Sequence, residues 1–331
     1  MWRWTTLIVA PLMFLCLSLL VGRIYIPPAD VVHILLSRFS PGDHSWSQSA
    51  ETIVMQIRLP RVVMAAFVGA GLAGSGAAYQ GMFRNPLVSP DILGVTAAAA
   101  FGAALALLLS FNALGLQLAS FGFGLLGVGA TYLLAKVYRS TPLLLLVLSG
   151  VVVAAFFSAL LSATKYIADP DAKLPAITYW LLGSLNGVSS GSLSLALPPI
   201  ILGVCGLLLS RWHLNVLAMG DAEARSLGVN TQWSQGMVIA STTLITAAAV
   251  SVCGIVGWVG LVVPHFGRML VGPDHRLLLP VSLSIGASYL LLIDDIARSA
   301  TAGEIPLGIL TALIGAPVFA YLLHKTRGIW Q

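Results

Sequence analysis

Long apolar runs dominate the chain, and short polar breaks separate them. Nine runs stand out, at about residues 5–22, 62–82, 92–111, 113–135, 143–163, 193–210, 236–252, 277–293 and 306–323. Each is close to the length a helix needs to cross the hydrocarbon of a bilayer. A tenth candidate, 254–268, is shorter and interrupted. Val256 to Val263 are apolar, but Pro264 and His265 follow at once. The first run has too long an apolar core for a signal peptide, and no small-x-small site follows before Arg23, so it reads as a retained span.

Charge decides the tenth segment. With the N-terminus inside and 254–268 crossing, the inside holds Arg3, Arg84, Lys136, Arg139, Arg211, Arg225, Arg268, Arg276, Lys325 and Arg327, ten of the seventeen basic residues. Without that crossing the inside keeps seven. Cytoplasmic loops carry the excess of Lys and Arg. The reading is therefore an all-α polytopic membrane protein, a single transmembrane domain over 1–331, with ten transmembrane helices and both termini cytoplasmic.

Composition agrees. Hydrophobic residues make up 58% and charged residues 9%, with a mean hydropathy of +0.93, far from soluble domains at ~25% charged. The formal charge of +5 would suggest nucleic acid in a soluble protein; here loop Lys and Arg explain it, and no nucleic-acid partner is predicted. Cys16, Cys205 and Cys253 lie in or beside apolar runs without metal-ligand spacing and read as free, packed thiols.

The most charged break is 217–230, reading L-A-M-G-D-A-E-A-R-S-L-G-V-N. Asp221 or Gly220 can cap a short helix, Ala222 to Arg225 can form it, and Gly228 suits the position after its end. It is either an ordinary solvated loop or a knob gripped by a cytoplasmic partner.

Other polar positions have local readings. The long loop 22–60 would lie outside, yet carries Arg23, Arg38 and Arg58, with Arg61 just beyond. These either pair with Asp30, Asp43, Glu51 or lipid phosphates, or meet an external acidic partner. Ala66, Ala70, Gly74 and Ala78 form a small-residue packing stripe, and Gln80 reads as a helix–helix hydrogen bond. Residues 84–94, with two prolines and a glycine, make a rigid turn. Ser140-Thr141-Pro142 opens the fifth span. In the external segment 165–193, Tyr179 and Trp180 look interfacial, and the Gly/Ser stretch 183–191 reads as flexible, re-entrant or surface-lying. Asp294 and Asp295 close the ninth span, and Asp294–Arg298 is a favourable i,i+4 pair.

Several chemistries are missing. No P-loop, H-E-x-x-H or G-x-S-x-G motif occurs. His265 lacks a second ligand at i+3 or i+4, so no metal site and no catalytic residue is assigned. No span centre carries an ionisable residue, which argues against an ion-coupled secondary carrier. A membrane-embedded enzyme using His265 and Asp294 would lack a nucleophile–base pair.

Six pieces in order resemble the permease subunits of ABC importers for iron chelates, haem and cobalamin, the iron-chelate uptake permease family. They are Arg58-Leu59-Pro60-Arg61; Asn85-Pro86-Leu87 with Pro90 and Leu93-Gly94; Ala222 to Leu227-Gly228; Gly254 to Gly260-Leu261 with Pro264-His265 and Arg268; Asp294 with Arg298, Glu304, Pro306 and Gly308; and Gly315-Ala316-Pro317. Trp258 stands where the family usually has phenylalanine, Asp295 adds an acid beside Asp294, and Thr96-Ala97-Ala98 replaces the usual serine/glycine-rich start of the third span.

The resemblance implies a subunit of the bacterial cytoplasmic (inner) membrane that pairs with a second permease subunit, a copy or a close paralogue. Two cytoplasmic ABC ATPases would grip the coupling segment at Ala222, Glu223, Arg225, Leu227 and Gly228. ATP and Mg²⁺ belong to those ATPases, and no cofactor is implied on this chain. An extracytoplasmic substrate-binding protein would dock at Arg58, Arg61 and Arg298. Asn85, Pro86, Leu87 and Thr141 match positions near the cytoplasmic gate. The implied cargo is a metal chelate, a ferric siderophore complex first, with haem, cobalamin or an oxyanion as alternatives.

Overall fold

The computed structural model describes residues 2–37, 46–136, 143–301 and 303–325. Arg38, Asp43, Arg139, Thr141 and Arg327 lie outside the described residues. The regular elements of the described residues are all helical: α1 (Trp2–Leu20), α2 (Pro28–Leu36), α3 (Gln48–Thr52), α4 (Leu59–Met82), α5 (Val95–Leu108), α6 (Ala113–Lys136), α7 (Leu143–Ile167), α8 (Lys173–Leu181), α9 (Ser190–Met219), α10 (Asp221–Ser226), α11 (Thr231–Cys253), α12 (Val259–Val271), α13 (His275–Ser299) and α14 (Leu307–Lys325). Six helical stretches are long and apolar enough to cross a membrane: Gln48–Met82, Ala113–Lys136, Leu143–Ile167, Ser190–Met219, Thr231–Cys253 and His275–Ser299. Four shorter apolar helices, Val9–Leu20, Val95–Leu108, Val259–Val271 and Leu307–Leu322, fall on the remaining segments that hydropathy marks.

Several boundaries differ from the sequence reading, each for a physical reason. The described residues of the loop 22–60 are largely helical. α2 opens with proline at its first turn, α3 is capped by the Ser47 side chain, and a π-helical turn at Ile53–Arg58 joins α3 to α4 without a break. Pro60, near the start of α4, has no N–H to donate back into the preceding turn, and the wider π turn falls at this interruption of the ladder. α9 does not stop at Arg211 but runs to Met219, because Leu214, Val216 and Leu217 are buried and extend its packed face past the charge. Its start carries a Ser189/Ser192 capping box. α13 does not close at Asp294 and Asp295 but continues to Ser299. Cys16 and Cys205 are exposed on the helix surface, and Cys253 alone of the three is packed.

The stretch 183–191 is anchored at its start. Gly183 takes φ +79°. The Leu307 N–H donates to its carbonyl at 2.9 Å, and the Ser184 N–H donates to the Cys253 carbonyl at 2.9 Å. This ties the end of α8 to the end of α11 and the start of α14.

α4 is the hub, buried along nearly its whole length and packed against α13, α9, α11 and α12. The closest crossings use Gly69 against Gly286 of α13 and Gly76 against Gly260 of α12. A Cβ on Gly69, Gly76 or Gly286 would fall on the opposite glycine's backbone, and one on Gly260 would meet the Pro90 ring. The small-residue face therefore runs through Gly69 and Gly76 as well as the predicted stripe. With no hydrophobic drive between helices in lipid, such close approach supplies the attraction.

Gly286→Leu should force α4 and α13 apart and cost at least about 1–3 kcal/mol. Thermal unfolding in detergent checks this. Substitution at Gly122 of α6, where a Cβ meets nothing within 4 Å, should leave the midpoint unchanged.

Candidate functional site

Three polar features stand out from the apolar body. The first is an ionic clasp at one end of the bundle. Arg61, in the first turn of α4, is 5% exposed, and Asp294 is 0% exposed. The Arg61 guanidinium donates from Nε to Asp294 Oδ1 at 3.0 Å and from Nη2 at 2.9 Å, while Nη1 reaches Glu304 Oε1 at 2.9 Å. Arg298 Nε stands 3.7 Å from Asp294 Oδ2. Arg298 also contacts Asp295, and its Nη2 donates to the Ser18 carbonyl at 2.6 Å. Arg58, 3% exposed, donates to the Leu19 carbonyl at 2.9 Å and to that of Ile24. One cluster thus joins α1, the π turn, α4, α13 and the turn before α14. The Asp294–Arg298 pair is the one helical spacing predicts, whereas Arg58 and Arg61 bond to Leu19, Ile24, Asp294 and Glu304 rather than to Asp30 or Glu51. All three are buried and bonded inside the chain. They border a hollow of about 150 Å³ with Arg23 and Glu304 at its wall, and Arg23 is the exposed arginine there.

The second feature is the predicted coupling segment. Gly220, at φ +127°, breaks α9 and caps α10, so Gly220 rather than Asp221 is the N-cap. α10 spans Asp221–Ser226, and Gly228 follows its end at φ +77°. Ala224 is buried with Val216 and Val229 in a small cluster of its own. That cluster pins the helix to α9 and to the turn that leads into α11. Ala222, Glu223, Arg225, Leu227 and Gly228 all face outward, Leu227 with 58% of its surface exposed. Gln235 donates to Asp221 at 3.3 Å. A hollow of about 460 Å³ lies beside Arg225 and residues 228–232.

Close to this end, Asn215 links α9 to α13. Its side-chain oxygen accepts from the His275 N–H at 2.8 Å, and its amide donates to Asp274. That bond, with the Arg276 N–H, holds the Asp274 carboxyl below the usual aspartate range.

The third feature is a pair of non-helical turns entering the bundle. After α4, Arg84 takes φ +52°, and the Asn85 side chain accepts from the Leu87 N–H at 2.9 Å. Leu87 is 53% exposed, Pro86 is half-buried and Asn85 exposed. Thr141, the remaining gate residue, lies outside the described residues. The turn continues through a 3₁₀ turn, Pro90–Leu93, which packs under Gly150 of α7. After α11, residues 254–258 descend to Gly260, which abuts Pro90 and Gly76. Gly76 lies 17 residues beyond Leu59, roughly 25 Å along α4 at 1.5 Å per residue. Trp258 closes this second turn at φ +68°, with the Val259 N–H donating to the Gly257 carbonyl at 2.8 Å. That is a γ-turn of the strained hand. The Trp258 side chain rests on Gly315 and Phe319 of α14. Gln80 ties α4 to α12 by donating to the Gly260 carbonyl at 3.2 Å and contacting Arg268.

A bundle of apolar helices, broken by two turns at membrane depth and carrying an outward-facing short helix, is the arrangement of a multi-pass membrane transport subunit. The family model of the FecCD transport family matches residues 8–325, and the chain belongs to that family of ABC importer permeases. It is 41% identical over 313 residues to the molybdate import system permease protein MolB of Haemophilus influenzae, covering 94% of this chain and 92% of that one. It is 42% identical over 281 residues to a Helicobacter pylori protein named "Probable iron chelatin transport system permease protein", covering 85% of each. A solved chain described as an inward-facing ABC transporter of the metal-chelate type superposes with a TM-score of 0.85 at 39% identity, over 97% of this chain and 98% of that one. The chain is therefore a multi-pass inner-membrane transport subunit.

The sequence reading missed the internal partners of the clasp. Arg61 and Asp294 are 233 positions apart, and no local spacing connects them. It also passed over Asn215, an unremarkable polar residue until α9 is seen to extend beyond Arg211.

Asp294→Ala leaves Arg61 and Arg298 short of their shared acceptor in a buried site, and should cost about 3–5 kcal/mol, read as a lowered thermal midpoint in detergent. Asp274 makes a separate acid-side prediction. A carboxylate with a lowered folded-state pKa stabilises above the ordinary aspartate range near pH 4, and that stabilisation is lost as pH falls through the lowered value. Asn215→Ala should therefore lower the midpoint at pH 6, and the gap to the parent should narrow toward pH 3.

Proposed function

We propose that this chain crosses the membrane ten times with both ends in the cytoplasm, and pairs with a second permease subunit, a copy or a close paralogue. Together they enclose a path for a metal chelate. Two cytoplasmic ABC ATPases grip α10 and supply the ATP and Mg²⁺ chemistry. A substrate-binding protein delivers cargo at the opposite end, over the clasp. There Arg58, Arg61 and Arg298 form the wall behind Arg23, and an incoming carboxylate would compete with Glu304 for Arg61.

The observation that carries the reading is the build of α10. Its one buried residue, Ala224, holds it on the bundle, while small, apolar and charged residues point away from it. A solvated loop needs no such anchor; a helix that receives a push from outside does. α9, 30 residues long, leads straight into α10 and would carry the push along the bundle.

A ferric siderophore complex is the proposed cargo, supported by the iron chelatin name of one relative and the metal-chelate type of the solved neighbour. An oxyanion is the second reading, supported by the molybdate relative; haem and cobalamin remain alternatives within the family resemblance.

Ala222→Trp should overfill the ATPase groove. Overpacking of this kind costs about 1–3 kcal/mol, or roughly 5- to 150-fold in affinity. Membrane levels should stay normal while ATPase co-purification and ATP-driven uptake fall. Full uptake with unchanged co-purification would make α10 an ordinary loop.

A further inference from the structure

Where the two entering turns meet, they leave a cleft of about 50 Å³ between α5, α11 and residues 254–258. Its polar content is unusual for this depth. Thr246 of α11 lines it with 2% of its surface exposed, and its hydroxyl has no hydrogen-bond partner. The peptide N–H groups of Ile255, Val256, Gly257 and Trp258 likewise find no acceptor among the described residues. These four residues are only half-buried. Ser89 and Thr96 add hydroxyls at the wall, and Asp91, exposed in the 3₁₀ turn, is its one charged side chain.

Non-helical backbone at membrane depth persists only where it is buried in protein or faces water, because each unsatisfied peptide group in hydrocarbon costs several kcal/mol. Half-buried and unbonded, 255–258 meets the second condition. An ionisable side chain at such depth marks a pathway by the same reasoning. At about 50 Å³ the cleft has room for no more than a few waters and cannot enclose a chelate, so it would act as a patch of wall along a wider passage. Its donors suit the oxygen atoms on the outside of a chelate, and its formal charge is negative.

We propose that this wall is a cargo-contact station on the transport path. Asp91 sets its charge preference, favouring neutral or cationic chelates and opposing oxyanions. The inference rests on the importer reading and narrows its cargo class.

The test needs no knowledge of the cargo. In the full-length chain with Cys16, Cys205 and Cys253 replaced by alanine, Thr246→Cys is introduced. Its reaction rate in membrane vesicles is measured with cationic trimethylammonium-ethyl and anionic sulfonato-ethyl methanethiosulfonate. Thr96→Cys, at a half-buried site, serves as a second position, and size-exclusion profiles identify folded variants. The station predicts that both reagents reach the thiol and that Asp91→Asn lowers the cation-to-anion rate ratio at least about fivefold, the scale of one nearby charge in a partly aqueous site. Asp91→Glu should retain the ratio. An unchanged ratio in Asp91→Asn overturns the charge assignment. Folded variants inert to both reagents at both positions overturn the aqueous station. Either failure leaves ATPase co-purification intact, whereas loss of co-purification with the parent chain strikes the importer reading itself.

Discussion

A peptide group inside hydrocarbon must find a hydrogen-bond partner, and this constraint shapes the molecule. Most of the chain meets it with helices. Two stretches, 84–94 and 254–258, do not. Because each enters the bundle as extended chain or a tight turn, the helix that follows is short: α5 has 14 residues and α12 has 13, about 20 Å at 1.5 Å per residue against a core of about 30 Å. Glycine at 76 and 260 lets the two turns meet α4 closely, and Trp258 accepts a strained backbone to end the second turn. Strain of this kind survives where the surroundings hold it in place, and here α14 does so through Gly315 and Phe319.

The rest of the bundle frames those turns. At one end the clasp gathers α1, α4, α13 and the turn before α14 around a single buried carboxylate, Asp294. Such a pair is weak evidence for extra stability but strongly resists the loss of one member. It fixes where helices start relative to one another. At the other end, α9 and α11 are bridged by α10, which is held by three small apolar side chains rather than by a deep core. One end is locked by buried ion pairs and the other is lightly pinned.

Much of this was legible in the chain. The apolar runs, the short helix between α9 and α11, Gly228 past its end and the Asn85-Pro86-Leu87 turn follow from hydropathy and local turn chemistry. The Asp294–Arg298 pair follows from helical spacing. What was not legible depends on contacts distant in sequence. Arg61 looked like a loop charge because its acceptors lie more than 230 residues away. Gly69 and Gly76 looked no different from neighbouring small residues until Gly286 and Gly260 stood opposite. Asp91 and Thr246 read as an ordinary turn residue and an ordinary helix residue; only the fold brings them to one cleft.

Amide hydrogen exchange, resolved by residue in lipid nanodiscs, tests the central claim most directly. If the chain leaves its backbone open toward a water-filled passage, the amides of Ile255, Val256, Gly257 and Trp258 exchange within seconds while those in the middle of α11 stay protected for hours. Protection at 255–258 equal to that of α11 would mean that these groups are sealed, and would contradict the account.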